Sequence, residues 1–181
     1  MKRTLFSFFI LLTISCSGYS VLRAPQESSS RGKPVTITPL SPMPCPTCAP
    51  RESFTAFSGI GENLRVVIRD HDAWRDMWKR IHSLNQGYGS VRELPPLPEI
   101  DFSEEMIVVA ALGGRPSSGY AVIVDNAYQR DDRLEITVRT VSPGRGCMSL
   151  AVVTAPVDVV RLPKTERSVV FRETEIAHDC E

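Results

Sequence analysis

Cysteine is the residue type whose spacing suggests chemistry most directly in this 181-residue sequence. Cys45 and Cys48 form a Cys-x-x-Cys pair, a spacing found in redox sites and in one half of many zinc sites. Redox use generally needs a helix N-terminus, but prolines surround this pair; zinc would need two further ligands, but the histidines are scattered. We therefore predict a small local disulfide here. The simplest remaining pair is Cys147 with Cys180, and the sequence leaves the other two connectivities open.

The fifth cysteine, Cys16, ends an N-terminal segment that is typical of an export signal. Met1–Arg3 is positively charged, and Leu5–Ile14 is an apolar stretch of roughly ten residues, too short to span a bilayer core of about 30 Å. Leu11–Cys16 is similar to a bacterial lipoprotein box, in which the cysteine becomes lipidated. We predict a signal peptide over residues 1–15, a palmitate-type lipid on Cys16 and a location in the cell envelope, periplasmic or surface-exposed. A plain signal peptide cut nearby is the alternative.

Catalytic residues do not form a recognisable pattern. A Ser-His-Asp hydrolase needs a serine beside an oriented histidine, and the sequence has no Gly-x-Ser-x-Gly motif. Ser117 and Ser118 lie in a loop, but no sequence feature couples them to a base. A formal net charge of zero argues against a general nucleic-acid binder. We predict a non-enzymatic protein that uses no cofactor or metal.

The best candidate for a binding site is the loop Gly113–Tyr120, which separates two apolar runs. Its glycines permit a close approach of the backbone, Arg115 offers a planar donor fork, and Tyr120 is of a type enriched in binding hot spots. Arg145 lies in a second glycine-rich loop. The predicted interaction residues are Gly114, Arg115, Pro116, Gly119, Tyr120 and Arg145. Alternatively, glycine and proline only form the turn, and Tyr120 packs in the sheet.

A folded domain beginning near residue 53 must position these loops. Residues 71–84 predict an amphipathic helix capped by Asp70, because both tryptophans share its apolar face. Apolar runs and alternation predict strands over Phe54–Gly61, Asn63–Arg69, Met106–Leu112, Tyr120–Ala127, Leu134–Val138, Leu150–Ala155, Val157–Leu162 and Val169–Phe171. We expect an α+β fold: a mostly antiparallel sheet or small β-sandwich with one helix packed on it. Residues 16–52 are rich in proline and serine and predict a disordered tether behind the lipidated Cys16.

Six segments carry a further signal when taken in chain order: Trp74 with Trp78, Ile100–Phe102, Met106–Tyr120, Pro143–Cys147, Thr154–Pro156 and Val160–Pro163. Together they resemble the PrcB C-terminal domain family. The resemblance covers roughly Gly59 to Cys180. It implies a non-catalytic, envelope-associated domain that assembles or stabilises a protease complex, since the family is named after a lipoprotein subunit of such a complex.

Two functional hypotheses follow. The first is an envelope-tethered interaction module whose partner is a protein, such as a secreted protease. The second is a protease inhibitor, because Arg115–Tyr120 is similar to the Asn-Pro-Thr-Thr-Gly-Tyr/Phe loop of chagasin-type inhibitors. Those inhibitors also use an Arg-Pro-Trp motif, which this sequence lacks. The sequence does not indicate an oligomeric state.

Overall fold

The computed structural model describes residues 32–40, 55–86 and 94–180. These residues form one α-helix, α1 (His71–Ile81), followed by a 3₁₀ turn, Ser83–Gln86. They also form eight strands: β1 (Lys33–Pro34), β2 (Thr38–Pro39), β3 (Asn63–Ile68), β4 (Glu105–Leu112), β5 (Ala121–Gln129), β6 (Arg133–Pro143), β7 (Val157–Pro163) and β8 (Ser168–His178).

The strands make two four-stranded sheets, ordered β1-β5-β6-β8 and β2-β7-β4-β3. Each neighbouring pair is antiparallel except β6 and β8, which run parallel in register from Arg133–Ser168 to Pro143–His178. This largely antiparallel arrangement with a single helix confirms the predicted fold class.

Strand β4 explains the longest apolar run of the folded part, because both of its faces are buried. Ile107, Val109 and Ala111 face the helix, in a cluster completed by apolar residues of α1, β3 and β7. Met106 and Val108 face the other sheet, in a cluster with apolar residues of β5, β6 and β7. The domain therefore has three layers, with the β4 sheet between the helix and the β6 sheet.

The helix begins where the sequence predicts, because the Asp70 carboxylate accepts a hydrogen bond from the backbone N–H of Ala73 at 2.8 Å. Trp74 and Trp78 are buried on its inner face. Their indole N–H groups donate to the backbone carbonyls of Pro98 and Pro95, at 3.1 and 2.9 Å. The proline-rich segment before β4 thus satisfies the two polar atoms that burial of the tryptophans would otherwise leave unpaired.

The predicted disordered tether is wrong over residues 32–40. In this segment β1 pairs with β5 and β2 pairs with β7. Its proline content indicates irregular chain, yet proline is tolerated at sheet edges, where its missing N–H is not needed. Val35 and Ile37, between the two strands, pack against the inter-sheet cluster.

The predicted strands Phe54–Gly61 and Leu150–Ala155 are wrong over the described residues. Isolated bridges replace them, joining Thr55 to Val157, Phe57 to Ala155 and Arg115 to Thr154. The segment before Thr154 is exposed and apolar instead of paired. Strand propensity describes side-chain type and cannot show whether a neighbouring strand is available.

Candidate functional site

One end of the sandwich gathers the loops that the sequence analysis singled out. The pairings Asn63–Leu112, Ala121–Val141 and Pro143–His178 place the corresponding ends of five strands together. The backbone leaves this end as residues 113–120, 144–156 and 179–180. The predicted interaction loop, Arg145 and the cysteines at positions 147 and 180 are therefore neighbours in space.

Backbone hydrogen bonds hold the loop 113–120 against the loop 144–156. Arg115 and Thr154 exchange N–H to carbonyl bonds of 2.7 and 3.0 Å, and the Thr154 hydroxyl donates to the Ser117 carbonyl at 2.9 Å. Ser118 donates its N–H to the Leu150 carbonyl at 3.0 Å, while its hydroxyl accepts the Leu150 N–H at 2.8 Å. The two serines therefore have structural partners in this pair of loops.

Two glycines are required by the backbone of the interaction loop. Gly113 and Gly119 have φ of 72° and 91°, the left-handed region that other residues adopt at a cost. A Cβ on Gly119 would also lie 3.1 Å from the Pro143 Cβ. Gly114 meets neither constraint, because a Cβ there would point into open space. Gly114, Pro116 and Gly119 form the exposed part of the loop.

Tyr120 has a structural role as well as a surface position. It is half-buried and packs against the inter-sheet cluster. The Arg115 guanidinium lies over its ring, with the Cζ atom 5.7 Å from the ring centroid, within the range of a cation–π contact. Arg115 is also half-buried, and its Nε atom is screened from solvent without a hydrogen-bond partner among the described residues.

A disulfide joins Cys147 to Cys180, the simplest pairing considered from the sequence. It ties the residues after β8 to the loop 144–156. Backbone bonds reinforce the link, because Gly144 donates to the His178 carbonyl at 2.7 Å and Cys180 donates to the Arg145 carbonyl at 2.9 Å. The Arg145 side chain is exposed beside this junction. Cys16, Cys45 and Cys48 lie outside the described residues.

The sequence analysis missed an exposed apolar surface at the same end. Met148 is fully exposed, and Leu150 and Val153 are each 72% exposed. Phe57 and Val152 add to them, at 53% and 38%. We name these five side chains, together with Arg115, the loop-end surface. The sequence does contain a signal for this surface. The residues between Cys147 and Pro156 are mostly apolar, and they do not alternate with polar residues as a half-exposed strand would.

The three histidines lie in different parts of the described structure. His82 follows the helix, where its ring meets Trp78 with centroids 4.3 Å apart, and burial lowers its pKa. His71 contacts Phe102, whereas His178 ends β8 beside the disulfide. Within residues 32–40, 55–86 and 94–180, no three His, Cys, Asp or Glu side chains are grouped as metal ligands.

Two carboxylates with lowered pKa values have structural causes. The pKa of Asp101 is lowered mainly by the Ser103 hydroxyl, which donates to it within a tight turn. The pKa of Glu135 is lowered mainly by Arg133, with Arg130 as a second donor. Both shifts therefore follow mainly from hydrogen bonds to residues nearby in sequence, and the charge of His71 acts on Asp101 as a weaker cause.

No helix in the described parts of the protein has both the length and the apolar character needed to cross a membrane.

The PrcB C-terminal family model matches residues 106–163, from β4 through β7, and confirms the resemblance seen in the sequence. The match includes both loops of the loop-end surface, while α1 and β8 lie outside it. This family is of the subunit or accessory type and is not a catalytic family. No curated protein and no solved structure gives a significant match to this sequence.

Proposed function

We propose that this protein is a non-catalytic interaction module of the cell envelope, which assembles or stabilises a protease complex through its loop-end surface. The exposed apolar side chains of residues 148–153 carry this proposal. Large exposed apolar patches on small domains commonly mark contact sites for other proteins. Here the patch lies on loops held in place by hydrogen bonds and a disulfide, so little conformational entropy is lost when a partner binds.

The family match supports the assembly role. The PrcB C-terminal family provides a domain of accessory type, and the loop-end surface is built from the matched segment with Phe57 added by a neighbouring bridge. An accessory domain must present a stable contact surface to its partner. The loops 113–120 and 144–156, held together by hydrogen bonds, supply such a surface.

The envelope location rests on the N-terminal sequence. The apolar stretch 5–14 and the small residues around Cys16 support export and lipidation, with the lipid as the membrane attachment. A disulfide between Cys147 and Cys180 is consistent with an oxidising compartment. In the sequence, residues 17–32 lie between Cys16 and β1.

The test is chemical crosslinking of the tagged full-length protein in its native cells, followed by mass spectrometry. We expect one protease or protease-associated envelope protein to be retained. Leu150→Lys should reduce its recovery by about tenfold, the loss typical of a hot-spot residue. Leu84→Lys is the matched control, because Leu84 is 55% exposed but lies beyond the helix. Equal recovery with both variants would contradict the proposal.

A second variant tests the envelope location of the protein separately from its interaction role. Cys16→Ala removes the predicted lipid and should move the protein from the membrane fraction to the soluble fraction. The loop-end surface is unchanged in this variant, so the purified protein should still bind the identified partner. If Cys16→Ala leaves the protein in the membrane fraction, the lipid anchor is wrong while the interaction role stands.

The alternative function, a chagasin-like protease inhibitor, can be tested with the same purified protein. Pro116 is the exposed tip of the loop in question, whereas Tyr120 also packs in the core. Inhibition of a papain-like protease by the purified protein, abolished by Pro116→Asp, would replace assembly with inhibition as the function.

A further inference from the structure

The Arg115 guanidinium lacks a counterion in the described structure. Its Nε atom is screened from solvent and has no acceptor. Two other arginines, Arg139 and Arg161, also have a screened Nε without a partner. Each of these nevertheless has a carboxylate nearby, Asp125 at 3.2 Å for Arg139 and Glu105 at 3.5 Å for Arg161. Among the described residues, no carboxylate forms an ion pair with Arg115.

A half-buried cation without an acceptor is costly, because burial removes water without replacing its hydrogen bonds. The Tyr120 ring compensates only in part, since a cation–π contact satisfies none of the N–H donors. Such an unsatisfied group in a folded domain requires an explanation. Because Nε is screened, the two terminal Nη groups of the guanidinium are the donors that could meet the two oxygens of a partner's carboxylate.

Exposed apolar residues lie close to Arg115 along the paired backbones of the two loops. The paired backbone bonds between Arg115 and Thr154 place Val153 next to the arginine in the loop pair. The bond from Ser118 to the Leu150 carbonyl brings Leu150 to the other end of the same loop. The surface therefore combines one donor fork with apolar side chains on neighbouring residues.

We propose that the loop-end surface binds a segment of a partner protein in which a carboxylate is flanked by apolar side chains. Arg115 receives the carboxylate, from an aspartate, a glutamate or the C-terminus of the partner, and Leu150 and Val153 receive the apolar groups. This inference rests on the proposed function and adds the chemistry of the partner. The unpaired cation gives the charge complementarity, and the apolar neighbours exclude water so that the ion pair is strengthened.

A photo-crosslinking amino acid at position 148 tests the inference in the full-length protein in native cells. Met148 is fully exposed at the loop-end surface, so its replacement should not disturb packing. We expect a crosslinked peptide that contains an acidic residue or a C-terminus next to apolar residues. Arg115→Gln should reduce the crosslinked product by about tenfold or more, and Arg115→Lys, which keeps the charge but not the fork, by less.

Arg75→Gln is the control, because Arg75 lies on the exposed side of the helix and pairs with Asp72. It should leave the crosslinked product unchanged. Far-ultraviolet circular dichroism and thermal melting establish that each variant is folded. Should Arg115→Gln fail to fold, Arg115→Lys and the composition of the crosslinked peptide carry the test.

The outcomes separate the inference from the proposed function. A specific partner whose crosslinked peptide has no carboxylate, or whose crosslinking is unaffected by both Arg115 variants, overturns the inference and leaves the interaction module standing. Absence of any specific product at position 148 overturns both. A product that is a lipid or a glycan would identify the surface as a site for a ligand other than protein, and would also overturn the inference.

Discussion

Single residues at the loop end can pack against the core and also lie at the surface where a partner would bind. The sequence predicts that Tyr120 either binds a partner or packs in the sheet, and the structure places its ring against the core with the Arg115 guanidinium above it. The sequence indicated the correct loop because glycine, proline and arginine are informative locally. It could not show that Arg115 lacks a carboxylate, because that depends on which residues the fold brings near.

His82 should make stability depend on pH. Burial beside Trp78 lowers its pKa below the ordinary value of about 6.5. The unfolded protein therefore binds a proton near pH 6.5, whereas the folded protein binds it only at lower pH. The stabilisation is complete above about pH 6.5 and is lost as the pH falls through the folded-state pKa.

Thermal melting at pH 7, 6 and 5 measures this effect. The melting temperature of the wild type should fall across the series, and the fall should be smaller for His82→Gln, which does not titrate. Asp101 and Glu135 do not interfere, because their lowered pKa values act below about pH 4.5. The same slope for both proteins would show that His82 is not responsible.

The sequence predicts some strands of this protein more accurately than others. β4 was predicted accurately because burial on both faces demands an unbroken apolar run. Residues 150–153 have a similar composition but form no strand in the described structure, and Leu150 and Val153 are exposed. Thr154 and Ala155 are buried and make isolated bridges. β1 and β2 were missed because each is two residues long and contains proline. Composition thus identifies buried strands better than edge strands.

The edge strands β3 and β8 are joined across the open side of the sandwich by an ion pair. Arg65 donates from Nε and Nη2 to the two carboxylate oxygens of Glu173, at 2.9 and 3.0 Å. Arg65 is only 13% exposed, and its Nη1 also donates to the Ala111 carbonyl at 2.7 Å. Charged side chains that point inward at sheet edges discourage association with other proteins.

A double-mutant cycle with Arg65→Ala and Glu173→Ala, measured by urea denaturation, tests how much the Arg65–Glu173 ion pair stabilises the fold. We expect a coupling free energy of about 0.5–1 kcal/mol, at the upper end for such pairs because Arg65 is only 13% exposed and contacts both carboxylate oxygens. Arg65→Ala alone should cost about 1–3 kcal/mol, because the Ala111 carbonyl also loses its donor. The exposed pair Asp72 and Arg75 is the comparison, and its coupling should be no larger than about 0.5 kcal/mol. Equal coupling free energies in the two pairs would show that the Arg65–Glu173 pair contributes no more than an ordinary exposed ion pair.

At the largest scale, the described residues form a three-layer domain whose order of strands the sequence did not specify. Local patterns predicted a helix and several strands, but pairing depends on contacts between residues far apart in sequence. The parallel pairing of β6 with β8 is the clearest case, since β7 lies between them in sequence and belongs to the other sheet. Only the candidate disulfide linked distant segments at the level of sequence.

That disulfide should be a major contributor to global stability. It closes a loop with a sequence separation of 33, for which the loop-closure entropy of the unfolded state gives about 3–4 kcal/mol. Replacing Cys147 and Cys180 by alanine should lower the free energy of unfolding by about 2–4 kcal/mol, measured by urea denaturation. Met148→Ala is the matched control and should change it by less than about 0.5 kcal/mol. An unchanged stability in the double variant would mean that the bond constrains only the residues after β8.

The placement of the tryptophans has an optical consequence. Trp74 and Trp78 are the only two in the sequence, and their ring centroids lie 5.3 Å apart in the helix-side core. Intrinsic fluorescence at this indole pair therefore reports the environment of one layer, while the far-ultraviolet dichroism of the strands reports both sheets. If the helix detaches before the two sheets unfold, the fluorescence emission will shift to longer wavelength while the far-ultraviolet circular dichroism keeps its native value. Coincident curves instead mean that the three layers unfold as one cooperative unit.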